Sequence, residues 1–124
     1  MPRLTGLLET CLHVADLTRS IEFYRSLFSF PLLTSDARLA ALAVADKQVL
    51  LLFLKGASEH DMPTAGGVIP GHGANGRLHL AFAIPAADLE AWKRRLIEQG
   101  IGLESTVDWP VTVRLRKMDA EAVW

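Results

Sequence analysis

ETCLHVADLTRSIEFY, residues 9–24, has a partner further along the chain in HLAFAIPAADL, residues 79–89. In each, six residues alternate in character, and an Asp-Leu pair then opens a helical pattern. The pair is Asp16-Leu17 in the first stretch and, after a two-residue insertion, Asp88-Leu89 in the second. Two such units in one short chain indicate an internal duplication, because a solenoid array needs three or more repeats. Alternation places Glu9, Cys11 and His13 on one strand face and Thr10, Leu12 and Val14 on the other. In the second unit His79, Ala81 and Ala83 share a face, opposed by Leu80, Phe82 and Ile84. The bulky apolar faces are expected to pack under helices. The opposite faces combine a carboxylate, a thiol and imidazoles with small alanines, as a pocket wall does and as a weakly packed, exposed sheet also would. Glu9 and His79 occupy equivalent positions.

Outward from these stretches, residues 6–14 read as a strand. Asp16 is placed to cap the following helix, since its carboxylate can accept from unpaired first-turn N–H groups. Ile21, Tyr24, Leu27 and Phe28 form one apolar stripe. Pro31 ends that helical region. Residues 38–45 and 47–54 predict a hairpin, whose second strand is apolar on both faces from Val49 to Leu54 and so fits a doubly buried position. Residues 55–76 are rich in glycine and carry Pro63, Pro70, His60 and His72. So long a loop is expected to be a functional lid or a disordered connection. Residues 77–84 predict a strand, 85–99 a helix stopped at Gly100, and 102–107 and 111–116 further strands.

Composition narrows the class. A chain of 124 residues, half of them hydrophobic, suits one domain with a real core. A formal charge of -1 gives no basic footprint for nucleic acid. Cys11 is the sole cysteine, which fits a reducing compartment. No secretory pattern opens the sequence, and the apolar region 39–54 is broken by Asp46-Lys47-Gln48. The expectation is therefore a cytoplasmic protein that engages neither membrane nor nucleic acid.

The segment from Leu12 to Tyr24, with Ser29-Phe30 where many relatives have Gly-Phe, resembles the first-module signature of the vicinal oxygen chelate superfamily. This superfamily includes glyoxalases, bleomycin- and fosfomycin-resistance proteins and extradiol dioxygenases. The His79 strand and the Asp88-Leu89 helix resemble its second module, and the likeness spans roughly residues 5–110. It implies an α+β fold of two βαβββ modules forming a curved mixed sheet around a cleft: module one about 5–55, loop 55–76, and a shortened module two about 77–124. It also implies a single domain, a homodimer and a small-molecule ligand or substrate. Metal-dependent members take ligands from matching first-strand positions of the two modules, which are Glu9 and His79 here, plus a glutamate on the last strand. Zn, Mn, Fe or Ni would suit such a site.

The remaining ligand positions depart from that pattern. Leu51 stands where glyoxalase-like members have another carboxylate. Arg116-Lys117-Met118-Asp119-Ala120 lacks the Pro and Gly of the usual final turn, and Glu121 is about three residues out of step with the last ligand. No third protein ligand is identified. Cys11, His13, Ala81 and Ala83 are expected to line the pocket. His13 lies about 13 Å along the strand from Glu9, too far to share an ion with it, and is expected at the pocket rim or surface. Cys11 is more readily a small apolar residue than a nucleophile.

Other motifs carry less. Gly71-His72-Gly73-Ala74-Asn75-Gly76 matches a dinucleotide fingerprint in letters, but a strand rather than a helix is predicted after it. His60 and His72 are either lid residues or solvated loop histidines. Trp92 and Leu96 are helix-packing residues, and Lys93, Arg94 and Arg95 form a solvated basic run. Two functions remain open. One is a metal-dependent lyase, isomerase or dioxygenase acting on a small oxygen-rich substrate. The other is a metal-free drug- or small-molecule-binding protein of the bleomycin-resistance type.

Overall fold

A computed structural model describes residues 1–106 together with the backbone of residues 120–121. The chain is an α+β protein with two compact units, Met1–Leu78 and His79–Trp124. The first unit runs β1 (Glu9–Val14), α1 (Leu17–Phe28), β2 (Leu32–Ser35), β3 (Leu39–Val44) and β4 (Gln48–Leu54), a βαβββ module. Its strands form a mixed sheet in the order β1-β4-β3-β2, with β1 parallel to β4 and the remaining pairs antiparallel.

The local chemistry accounts for these elements. Asp16 caps α1, its Oδ1 accepting from the Arg19 N–H at 3.0 Å. The predicted stripe is the inward face: Leu27 is buried, and Ile21, Tyr24 and Phe28 are half-buried. The helix ends at Ser29 in the left-handed region (φ 57°), donating its N–H to the Arg25 carbonyl. That conformation explains why glycine suits this position so well. Between β3 and β4 the chain turns through Ala45 and Asp46, both at positive φ, and the Lys47 N–H closes the turn on the Val44 carbonyl.

Strand β4 lies between β1 and β3, which is why its sequence is apolar on both faces. Leu50 and Leu52 point into the core with Ala40, Leu42, Leu17 and Leu27. Leu51 and Phe53 share the opposite face, and the register sets Leu51 beside Cys11 and Phe53 beside His13. The segment 55–76, expected to lack regular structure, instead contains a small hairpin of β5 (Met62–Thr64) and β6 (Gly67–Ile69). Pro63, the middle residue of β5, and Gly66-Gly67, at the turn into β6, disguise it, because both residue types are turn formers.

The second unit contains β7 (Ile84–Pro85), a 3-10 turn over Ala86–Asp88, α2 (Leu89–Glu98) and β8 (Ala120–Glu121), which pairs antiparallel with β7. Among the described residues, the strand predicted over 77–84 has its ladder pair at Ile84, opposite Glu121. The alternation itself survives in exposure: His79, Ala81 and Ala83 are exposed, while Leu80, Phe82 and Ile84 are half-buried. Helix α2 begins four residues later than predicted, because the 3-10 turn takes up Ala86–Asp88 after Pro85. It stops at Gly100 (φ 74°), with Gly100 N–H on the Ile97 carbonyl and Ile101 N–H on the Leu96 carbonyl. Of the strand expected over 102–107, the described part has a single bridge residue, Thr106. The strand expected over 111–116 lies outside the described residues. Among the described residues, no helix is long and apolar enough to cross a membrane.

Candidate functional site

The first unit carries a cleft of about 460 Å³ on the Leu51–Phe53 face of its sheet, within the usual size range of small-molecule sites. Its floor is set by strand pairing. Glu9 and Cys11 of β1 line it with Leu51 and Phe53 of β4, Cys11 opposite Leu51, and Leu39 of β3, opposite Phe53, continues the surface. Arg38 brings a cation to the edge. The Asp36 carboxylate fixes the backbone there, accepting from the Arg38 and Leu39 N–H groups at 2.7 and 3.0 Å. These backbone hydrogen bonds hold the Asp36 carboxyl below its ordinary value.

The remaining wall is the strap from Ser58 to His72, which contributes His60, Met62, Ile69 and His72. Three hydrogen bonds anchor its ends. The His72 N–H donates to the Ser58 carbonyl at 2.8 Å, the Ser58 hydroxyl donates to the His72 carbonyl at 2.9 Å, and the Gly71 N–H donates to Asp61 Oδ1 at 2.8 Å. Ser58 is buried, so these bonds satisfy a polar group that would otherwise weaken the strap. A Cβ on Gly71 would collide with the Glu59 carbonyl, so only glycine allows this approach.

The strap covers His13. Sequence spacing places this residue on the rim or surface, but it is only 8% exposed and does not itself line the cleft. Its ring stacks on Phe53 (centroids 5.6 Å, 21°) and meets His72 edge-on, with His13 Nε2 and His72 Nδ1 3.0 Å apart. One ring N–H donates to the other ring's nitrogen. Burial, and secondarily the neighbouring His72, lower the His13 pKa from its ordinary 6.5. The unfolded chain therefore takes up a proton at His13 before the folded one does. This contribution to stability is complete above about pH 6.5 and is lost between that value and the lowered folded-state one. In chelator-treated protein, thermal stability is expected to fall from pH 7.5 to pH 5.5, with a smaller fall in His13→Gln. Equal slopes for the two proteins would contradict this assignment.

The sequence-derived candidates are thus placed as follows. Glu9 and Cys11 are exposed residues of the first unit's cleft. His79, Ala81 and Ala83 belong to the second unit. Two features had no local sequence signal: the approach of His72 to His13, across 59 positions, and the burial of Ser58. The cluster of Cys11, His13 and His72, whose ligand atoms all lie within 4.8 Å of one another, depends on that same approach.

Fold and cleft together define a class, and comparison with known proteins gives its name. Residues 6–115 match the Glyoxalase/Bleomycin resistance protein/Dioxygenase superfamily, and the chain belongs to that superfamily. Among solved structures it is similar to a lactoylglutathione lyase from Agrobacterium tumefaciens, with 30% identity, a TM-score of 0.78, and 88% of this chain and 81% of that one covered. An integron cassette protein from the mobile metagenome of the Halifax Harbour sewage outfall shares the fold at 20% identity and a TM-score of 0.65, covering 84% and 78%. So does the oxidase ChaP-H2, at 15% identity and a TM-score of 0.53, covering 79% and 65%. No functionally curated protein matches the sequence significantly.

Proposed function

We propose that this chain is a metal-dependent lyase, isomerase or dioxygenase acting on a small oxygen-rich substrate, with Glu9 and His79 as protein ligands of a divalent ion. The observation that carries this reading is the position of Glu9, a carboxylate on the floor of a 460 Å³ cleft edged by Arg38 and His60. Similarity to the Agrobacterium lactoylglutathione lyase supports the lyase form. A carboxylate and a neutral imidazole suit a borderline divalent ion. When bound, such an ion supplies Lewis-acid stabilisation of negative charge developing on substrate oxygens. The chain's own residues bind and orient: Arg38 attracts an anionic oxygen, His60 offers a hydrogen bond, and Leu51, Phe53 and Met62 limit water around the reacting group. A homodimer in the cytoplasm belongs to the same proposal.

Metal analysis of the purified protein beside Glu9→Ala and His79→Ala is the test. Bound metal is expected in the parent and should fall in both variants; unchanged content in the variants would overturn the assignment. Leu51 favours a second reading, because an apolar residue occupies a position from which metal-dependent relatives are expected to supply a carboxylate. On that reading the cleft sequesters an organic ligand without metal, and ligand-dependent stabilisation survives EDTA.

A further inference from the structure

We propose that Cys11, His13 and His72 form a separate thiolate–imidazole site for a late first-row divalent ion, with zinc as the natural occupant. The proposal does not depend on Glu9 or His79. It rests on three observations. First, the Cys11 sulfur and one nitrogen from each histidine all lie within 4.8 Å of one another. In a tetrahedral zinc site, with metal–nitrogen bonds of about 2.0–2.1 Å and metal–sulfur bonds of about 2.3 Å, neighbouring donor atoms are roughly 3.3–3.6 Å apart. The histidine pair, at 3.0 Å, is already near that spacing. Side-chain adjustments of about 1 Å complete the triad.

Second, the donors are held from different directions by parts of the fold that need no ion. Cys11 and His13 are two residues apart on one face of β1, and their register against Leu51 and Phe53 fixes the strand. His72 arrives on the strap, tied by its N–H and its carbonyl to Ser58 and preceded by the close approach of Gly71 to Glu59. Phe53 packs against both imidazoles, with centroids 5.6 Å from His13 and 4.5 Å from His72. This is the apolar surround that restrains ligand rings and limits water.

Third, Cys11 and His72 both line the cleft. An ion held by the three side chains would keep its remaining position towards that cleft, the arrangement of three protein ligands and one open site found in catalytic zinc centres. Softness selects the ion: one sulfur and two imidazole nitrogens favour zinc or its late first-row neighbours and disfavour magnesium and calcium. Binding releases the Cys11 thiol proton to solvent. The imidazole N–H now lying between the two rings moves to that ring's other nitrogen, so each histidine stays neutral and each ligand nitrogen offers its lone pair.

Cobalt(II) tests the site, because a thiolate–cobalt bond gives a near-ultraviolet charge-transfer band that carboxylate and imidazole ligands do not. Reduced, metal-free full-length protein titrated with cobalt(II) is expected to develop that band at one equivalent and to lose it when zinc is added. Cys11→Ser should abolish the band. His72→Ala should weaken binding by more than about 100-fold, beyond the loss produced by removing a supporting residue. Glu9→Gln should retain the band, which separates this site from the Glu9–His79 proposal: either can fail while the other stands. Circular dichroism of each variant reports folding. A folded parent without the band, or a band that persists in Cys11→Ser, overturns the inference.

Discussion

Leu52→Ala is expected to destabilise the protein by about 3–5 kcal/mol and to lower its melting temperature by more than about 10 °C. Leu52 is wholly buried, and its strand is flanked on both sides, with Leu12 of β1 and Ala40 of β3 in register. Ala40 is too small to move into the vacated space, and Leu42 and Leu50, both almost fully buried, are held in their own ladder positions. The cavity therefore stays largely open, which places the cost in the upper part of the range for such changes. Leu33→Ala is the control: Leu33 is 56% exposed, and little loss is expected there. Thermal and urea denaturation of the two variants make the measurement. Similar small losses in both would mean that β4 is not the centre of the core.

The second large effect is expected from Gly71→Ala. The new methyl group would meet the Glu59 carbonyl, a backbone atom that cannot rotate away. The strap must then separate between Ser58 and His72, breaking the paired hydrogen bonds that join them. Overpacking of this kind costs about 1–3 kcal/mol, and here it falls mainly on the strap, since β1 to β4 pair without it. His72 should leave His13, and cobalt(II) affinity should drop by at least about 10-fold while most of the thermal stability remains. Gly73→Ala makes the comparison: its added Cβ would meet only the Glu59 side chain, at 3.6 Å, an ordinary contact. Equal cobalt affinity in the two variants would show that the strap's position does not govern the site.

Local rules made the first module readable. The Asp16 cap, the stripe from Ile21 to Phe28 and the doubly apolar β4 each reflect chemistry contained within a few residues. The cleft face of β1 was readable for the same reason, since alternation alone groups Glu9, Cys11 and His13. The strap was not. Pro63 and Gly66-Gly67 look like loop formers, and nothing near His72 announces a partner 59 residues earlier. Burial of His13 was missed because strand periodicity assigns a face but not what later covers it. In the second unit, alternation over 79–84 matches the exposure of these side chains, and the described pairing falls at Ile84.

The parallel pairing of β1 with β4 sets an order for assembly. Each β1 residue meets a partner forty positions away, whereas the turn between β3 and β4 joins residues only four apart. Closing the longer span costs roughly 2 kcal/mol more chain entropy, so the local hairpin provides the template onto which the amino-terminal strand docks. During synthesis, Cys11 and His13 are added before Phe53, against which the His13 ring stacks, and His72 comes later still. The thiol and its imidazole neighbours can meet only after more than half of the polypeptide has been made.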